Sequence, residues 1–111
     1  MEIREQRHGA VTVLKPHGAL IRDDAATFRK RLEDARARSL GRMVVDVSTV
    51  PYVDSAGLET LVEATERLAE SGQVLKLCGV NETLRETLDL TDLVTLFEYF
   101  EDINAAVRSY L

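Results

Sequence analysis

The clearest change in the pattern of apolar positions lies between residues 43 and 68. Met43–Val47 is a short run rich in valine, which is typical of a strand buried on both faces of a sheet. After Asp54 the apolar residues recur every three or four positions, which predicts a helix over Ser55–Ser71. The predicted buried stripe of this helix consists of Leu58, Leu61, Val62, Thr65, Leu68 and Ala69. Asp54 and Ser55 therefore fall beyond the carboxyl end of a buried strand, where open α/β sheets collect functional residues.

The rest of the chain alternates predicted strands with predicted helices. An antiparallel hairpin comes first, and afterwards each strand is followed by a helix, which predicts right-handed crossovers and a mostly parallel sheet. The other predicted strands are Glu2–Arg7, Val11–Leu14, Val74–Cys78 and Leu96–Phe100, and the other predicted helices are Asp24–Ser39, a short segment after Asn81 that carries Leu84 and Leu88, and a segment from Asp102. We predict one α/β domain over residues 1–111, with a mixed sheet of four or five strands and about four packed helices. The Met43–Val47 strand is expected at the centre and Glu2–Arg7 at an edge.

Short polar residues and glycines mark the predicted ends of these helices. Asp24 or Asp23 is the predicted N-cap of the first helix, because a short carboxylate accepts hydrogen bonds from the free amides of a first turn. Asn81 is the predicted N-cap of the short third helix. Gly41 and Gly72 follow the two long helices and are predicted to end them in the left-handed conformation. The first helix is expected to bury a stripe made of Ala25, Phe28, Leu32 and Ala35.

Composition and charge exclude several classes of function. The 111 residues are 45% hydrophobic and 30% charged, which suits a single folded domain. The net charge of −5 disfavours binding to nucleic acid and electrostatic attachment to anionic lipid. No apolar run is long enough to span a bilayer and the amino terminus has no signal-peptide core, so a cytoplasmic protein without membrane insertion is expected. Cys78 is the only cysteine, and its place in an apolar strand predicts a buried, slowly reacting thiol.

The common catalytic and cofactor-binding motifs are absent from the sequence. His8 and His17 have no partner at metal-ligand spacing, and we interpret them as surface or turn residues. Ser55 lacks the preceding glycine of a nucleophile elbow, since Val53 occupies that position. No glycine-rich phosphate-binding loop is found either. We therefore expect a protein that is not an enzyme and that uses neither a metal nor a cofactor.

Two interpretations of Ser55 follow from the residues alone. Serine at the start of a helix is most simply a cap, and spacing alone favours that role. Gly57 does not fit a plain cap, because glycine inside a helix costs about 1 kcal/mol relative to alanine and is useful where another molecule or a backbone comes close. Tyr52, Val53 and Leu58 also place apolar side chains around the serine, which suggests a surface for a partner to cover.

The segment Asp54-Ser55-Ala56-Gly57-Leu58, after a valine-rich strand and Pro51-Tyr52-Val53, resembles the signature of STAS domains. This family is named for sulfate transporters and anti-sigma factor antagonists. Gly18-Ala19-Leu20 resembles the Gly-x-Leu that follows the family's second strand, and Leu75–Val80 and Thr87–Phe97 are similar to later family segments, so the resemblance covers nearly the whole chain. One departure is Ile21, because many members carry Asp directly after Gly-x-Leu, and Asp23 and Asp24 are not in register with it.

The resemblance implies a mechanism of partner switching. In bacterial anti-sigma factor antagonists, the serine in the position of Ser55 is phosphorylated by an anti-sigma factor that is itself a serine kinase. The dephosphorylated antagonist binds that kinase and frees a sigma factor, and a PP2C-type phosphatase resets the cycle. A monomer is expected. The implied partner surface consists of Leu20, Ile21, Tyr52, Val53, Asp54, Gly57, Leu58, Gly79, Val80 and Asn81.

Two other functions remain open at this point. STAS subunits of lipid ABC transporters dock on an ATPase subunit without a phosphorylation cycle, and a similar docking role in another signalling complex is compatible with the sequence. A STAS-like module that binds a nucleotide or a lipid is a further alternative, although no phosphate-binding motif supports it.

Overall fold

The computed structural model describes residues 1–111 and contains a single five-stranded sheet. The elements in chain order are β1 (Glu2–His8), β2 (Val11–His17), α1 (Arg22–Arg38), β3 (Met43–Asp46), α2 (Ser55–Ala69), β4 (Leu75–Cys78), α3 (Glu82–Leu90), a 3₁₀ turn (Val94–Leu96), β5 (Phe97–Phe100) and α4 (Ile103–Arg108). The strand order is β1-β2-β3-β4-β5. β1 pairs antiparallel with β2, and the other neighbours pair in parallel. The predicted mixed sheet, its opening hairpin, the central β3 and the edge position of β1 are confirmed.

Helices cover the two faces of the sheet unequally. Side chains alternate along β3, so Met43 and Val45 face a cluster with α1, α2 and α3, whereas Val44 faces α4. The larger cluster contains 17 buried residues and the smaller one contains 5. The predicted stripe of α1 is confirmed, since Ala25, Phe28, Leu32 and Ala35 are all buried. In α2 the predicted stripe holds except at Ala69, which is exposed because α2 ends at that residue.

The predicted N-cap of α1 is wrong. The helix begins at Arg22, so Asp23 and Asp24 lie inside its first turn, and the N-cap residue is Ile21, whose side chain accepts no hydrogen bond. The physical reason is an acceptor from elsewhere in the fold. The Arg22 backbone N–H donates to Oδ2 of Asp54 at 2.9 Å, which allows the helix to start two or three residues earlier than a local cap predicts.

The other helix ends agree with the predictions more closely. Asn81 caps α3, since its Oδ1 accepts from the Leu84 N–H at 2.8 Å. Gly72 is left-handed with φ 72°, as predicted. After α1 the left-handed turn begins one residue earlier than predicted, at Leu40 (φ 52°), and continues at Gly41 (φ 83°). The Gly41 N–H then donates to the carbonyl of Arg36 at 2.9 Å, which closes the end of the helix.

Strand β2 is longer than predicted. Instead of ending at Leu14 it continues to His17, because β1 pairs with it along its whole length from Glu2 opposite His17 to His8 opposite Val11. Its carboxyl end consequently lies close to the loop that follows β3.

Candidate functional site

The loops at the carboxyl ends of β2 and β3 are joined by backbone hydrogen bonds. The Leu20 N–H donates to the Tyr52 carbonyl, and the Asp54 N–H donates to the Leu20 carbonyl, both at 3.1 Å. Together they form an isolated parallel bridge between Leu20 and Val53. This bridge extends the pairing of β2 with β3 beyond the strands, so the loops that precede α1 and α2 lie side by side.

The loop before α2 also contacts the start of α3. Nδ2 of Asn81 donates to the Val50 carbonyl at 2.8 Å, while the Oδ1 of the same side chain caps α3. An asparagine amide can do both because it carries a donor and an acceptor. Three strand-to-helix connections therefore meet at one edge of the sheet, as expected for the carboxyl ends of parallel strands.

Asp54 accepts hydrogen bonds from the first turns of two helices. Its Oδ1 accepts from the Gly57 N–H at 2.9 Å and caps α2, and its Oδ2 accepts from the Arg22 N–H at 2.9 Å at the start of α1. These backbone hydrogen bonds, that from Gly57 first, hold the pKa of Asp54 below its ordinary value of 3.8. The carboxylate is therefore ionised at neutral pH, between the positive ends of two helix dipoles.

Ser55 is the first residue of α2, and its side chain is exposed. Its hydroxyl makes no hydrogen bond to the protein. The N-cap of α2 is Asp54, so the structure assigns the capping role to the aspartate and leaves the serine hydroxyl accessible. Of the two interpretations of Ser55, helix capping is thus ruled out.

Gly57 lies where the backbone of another loop comes close. A Cβ atom added at this position would lie 2.2 Å from the carbonyl oxygen of Leu20 and 3.0 Å from its Cβ. Such separations are too short for any side chain, so the first turn of α2 can pack on the β2–α1 loop only with glycine here. The close approach expected at Gly57 comes from the chain's own backbone.

The predicted partner surface contains both exposed and buried side chains. Tyr52 is 52% exposed, and Ile21 and Val53 are half-buried in the loops that border Ser55. In contrast, Leu20 and Leu58 are only 1% and 8% exposed and belong to the main core. Their side chains support the surface from beneath and are not accessible to a partner.

The residues after β4 lie at the same edge of the sheet but divide between its two sides. Asn81 contacts the loop before α2 through Val50, and Val80 packs against the main core. Gly79 instead lies against Ser48, where an added Cβ would be 2.7 Å from the Ser48 Cβ. The structure therefore brings Asn81 close to the middle of the loop before α2, at Val50. Gly79 lies against the beginning of that loop, at Ser48.

Sequence reasoning missed the role of Arg22. Its backbone amide is the point at which α1 is attached to the Ser55 loop, through Asp54. The departure at Ile21 was the available signal, because an isoleucine at the N-cap leaves the first turn of α1 without a local acceptor.

Cys78 lies at the end of β4 on the α4 side of the sheet and is 1% exposed, so its predicted burial is confirmed. Burial, together with the negative charge and hydrogen bond of Asp46, raises the pKa of the thiol to about 12. The thiol is therefore not ionised at neutral pH.

A groove with a volume of about 660 Å³ lies between α1 and α2. Its basic residues are paired with acidic neighbours: Arg29 with Glu63 at 2.7 Å, Arg67 with Glu33 at 3.2 Å, and the remaining two, Lys30 and Arg36, with Asp34 and Glu33. A groove whose cations are already paired offers no free charge for a phosphate group, which disfavours the nucleotide-binding alternative.

Known proteins share this architecture. The anti-sigma F factor antagonist of Paenibacillus polymyxa is 21% identical over 107 residues, which cover 95% of this chain and 92% of the relative. A candidate anti-sigma factor antagonist from Thermotoga maritima superimposes with a TM-score of 0.87 at 23% identity, covering 96% of this chain and 92% of that one. The Bacillus anti-sigma factor antagonist SpoIIAA, whose structure is known in unphosphorylated and phosphorylated forms, superimposes in the unphosphorylated form with a TM-score of 0.78 at 14% identity, covering 98% and 96% of the two chains.

The family assignment comes from the match along the chain. At these identities the solved structures establish the fold alone. None of the helices has the length and apolar character needed to cross a membrane. The STAS domain family matches residues 2–106, which include the hairpin, the Ser55 loop and most of α4. With the five-stranded sheet and the loop geometry described above, this match shows that the chain belongs to the STAS domain family.

Proposed function

We propose that this STAS domain is an anti-sigma factor antagonist that acts by partner switching, with Ser55 as its phosphorylation switch. In this proposal the dephosphorylated protein binds an anti-sigma factor serine kinase and releases a sigma factor. Phosphorylation of Ser55 ends that binding, and a PP2C-type phosphatase restores it. The relative in Paenibacillus polymyxa is named an anti-sigma F factor antagonist, which supports the antagonist part of the proposal.

The position of the Ser55 hydroxyl is the main observation that supports this proposal. The hydroxyl is exposed, makes no hydrogen bond within the protein and follows the cap of a 15-residue helix. A kinase can therefore reach it without unfolding α2. A phosphate at the amino end of a helix is also tolerated by the fold, because the helix dipole and the free amides there favour negative charge.

The added charge explains how the switch turns binding off. A phosphate adds about −1.5 to −2 charges at neutral pH. It would stand beside the ionised carboxylate of Asp54 and among the apolar side chains of Tyr52 and Val53. A partner that covers this surface must remove water from the phosphate and from the Asp54 carboxylate. This desolvation costs free energy unless the partner supplies cations that pair with the two groups.

The remaining features of the proposal follow from the same role. The protein has no catalytic function of its own, acts as a monomer in the cytoplasm, and uses neither nucleic acid nor membrane insertion. The kinase and the phosphatase are the two partners that modify Ser55.

The test combines phosphorylation with binding. Mass spectrometry of the protein isolated from its own cells should find phosphate on Ser55, and the Ser55→Ala variant should carry none. Ser55→Ala should bind the anti-sigma factor kinase as well as the unmodified protein does, whereas Ser55→Asp should keep the fold but bind weakly. A protein without phosphate, whose Ser55→Asp variant binds normally, would leave a docking subunit of a transporter or another signalling complex as the better function.

A further inference from the structure

The hydrogen bonds of Asp54 indicate how the partner surface is held together, and the inference rests on the proposed partner-binding role of the Ser55 loop. We propose that Asp54 is a positioning residue that fixes the start of α1 against the Ser55 loop, so that a partner meets the two in one rigid arrangement. Asp54 would then do more than cap the helix that carries the switch.

The start of α1 depends on a distant hydrogen-bond acceptor. The first amides of a helix have no partner within it, and the N-cap side chain usually supplies one. Ile21 cannot, so the Arg22 N–H donates instead to Asp54, which is 32 residues away in sequence. The start of α1 is thereby attached directly to the residue that precedes Ser55.

No other hydrogen bond attaches the first turn of α1 to the loop before α2. The backbone bonds to Tyr52 and Asp54 and the close packing of Gly57 all act on Leu20. Beyond Leu20, the Arg22 amide is bonded to the loop before α2 only through the Asp54 carboxylate. The Asp54 side chain is therefore the one hydrogen-bonding group that holds the first turn of α1 against this loop.

Carboxylate chemistry allows the two roles of Asp54 to be separated. Both oxygens of a carboxylate accept hydrogen bonds, whereas an asparagine amide has one acceptor oxygen and one donor nitrogen. Asp54→Asn therefore keeps the cap to Gly57, because Asn caps as well as Asp does. With its single acceptor oxygen on the Gly57 N–H, as an N-cap requires, the amide turns a donor toward the Arg22 N–H, and the bond to α1 is lost. Asp102 gives a matched control, since it caps α4 through one bond, to the Ala105 N–H at 2.8 Å, and has no second helix to hold.

Amide hydrogen exchange measured by NMR tests the positioning directly. In Asp54→Asn the Arg22 amide should exchange about tenfold faster than in the unmodified protein, as expected for the loss of one charge-assisted hydrogen bond. The Gly57 amide should keep its protection, and Asp102→Asn should change neither. An Arg22 amide that stays fully protected in folded Asp54→Asn would overturn the inference.

A second measurement uses the unmodified protein and needs no variant. During an acid titration the Arg22 amide proton resonance should shift with the same midpoint as the Asp54 carboxyl carbon, below the ordinary value of 3.8. An Arg22 resonance that does not follow Asp54 would also overturn the inference.

The functional arm measures phosphate on Ser55 by mass spectrometry in cells that produce each variant. Asp54→Asn should carry about tenfold less phosphate than the unmodified protein, because the kinase no longer meets a fixed surface, and Asp102→Asn should match the unmodified protein. Equal phosphorylation in an Asp54→Asn variant with a mobile Arg22 amide would refute the positioning role. If the unmodified protein carries no phosphate, the proposed function fails, and the exchange and titration measurements alone decide whether Asp54 fixes the start of α1.

Discussion

Replacing Gly57 with alanine tests whether the two loops are in direct contact. In an ordinary helix this change is favourable by about 1 kcal/mol, because alanine has the higher helix propensity. Here the added Cβ would lie 2.2 Å from the Leu20 carbonyl oxygen, and real Cβ atoms essentially never approach within 3.0 Å. We therefore expect a change that normally stabilises a helix to destabilise this protein.

The expected loss in the free energy of unfolding follows from the shift that Leu20 and α2 must make to accommodate the added Cβ. Relieving the contact requires a shift of about 1 Å between Leu20 and α2. Such a shift stretches the two hydrogen bonds that Leu20 makes at 3.1 Å, to Tyr52 and from Asp54. Each bond is worth about 1 kcal/mol, and overpacking itself costs about 1–3 kcal/mol. After the gain in helix propensity, the free energy of unfolding should fall by about 2–4 kcal/mol.

Thermal denaturation followed by circular dichroism measures this loss. For a domain of 111 residues the expected fall in Tm is about 9–17 °C. Ser55→Ala is the matched control in the same helical turn, and it should change the free energy of unfolding by less than about 0.5 kcal/mol, since the hydroxyl makes no hydrogen bond. A Gly57→Ala variant that melts at or above the temperature of the unmodified protein would show that the Leu20 carbonyl does not constrain α2.

Three further predictions concern the cap, the thiol and the acid response. Asp54→Ala should lower Tm more than Asp102→Ala does, because it leaves two helices without an acceptor instead of one, and equal losses would contradict the double role. Cys78 should react with a thiol reagent far more slowly in the native protein than in denaturant, as its burial and raised pKa of about 12 require, and rapid stoichiometric labelling of the native protein would disprove this. The pKa of Glu5 is held below 4.5, mainly because Arg38 donates a hydrogen bond to its carboxylate. The folded state therefore favours the charged form of Glu5, and the stability that this carboxylate contributes is lost as pH falls below 4.5. The fall in Tm between pH 7 and roughly pH 3 should therefore be smaller for Glu5→Gln than for the unmodified protein. An equal fall in Tm for both would argue against this ion pair as a source of acid sensitivity.

The local order of apolar residues was enough to predict the elements of this fold. The stripe of Ala25, Phe28, Leu32 and Ala35 and the valine-rich β3 were both read correctly, because a helix or strand buries residues at a period that appears in the sequence itself. The alternation of strands and helices after a hairpin also predicted the mixed sheet with β3 at its centre. The Asp54-Ser55-Ala56-Gly57-Leu58 motif, together with the strand before it and the order of the elements, was enough to recognise the family.

The contacts that build the site were decided only by the tertiary structure. The cap of α1 was assigned to Asp24 or Asp23 because sequence rules look for an acceptor nearby, whereas the actual acceptor, Asp54, is 32 residues from the amide that it binds. A glycine at position 57 suggested that another group comes close to α2, but the sequence could not show that this group is the Leu20 carbonyl. The burial of Leu20 was hidden for the same reason, since a leucine in a loop has no period that separates core from surface. Hydrophobic patterning acts over a few residues, whereas these contacts exist only after parallel strands have brought separate loops to one edge of the sheet.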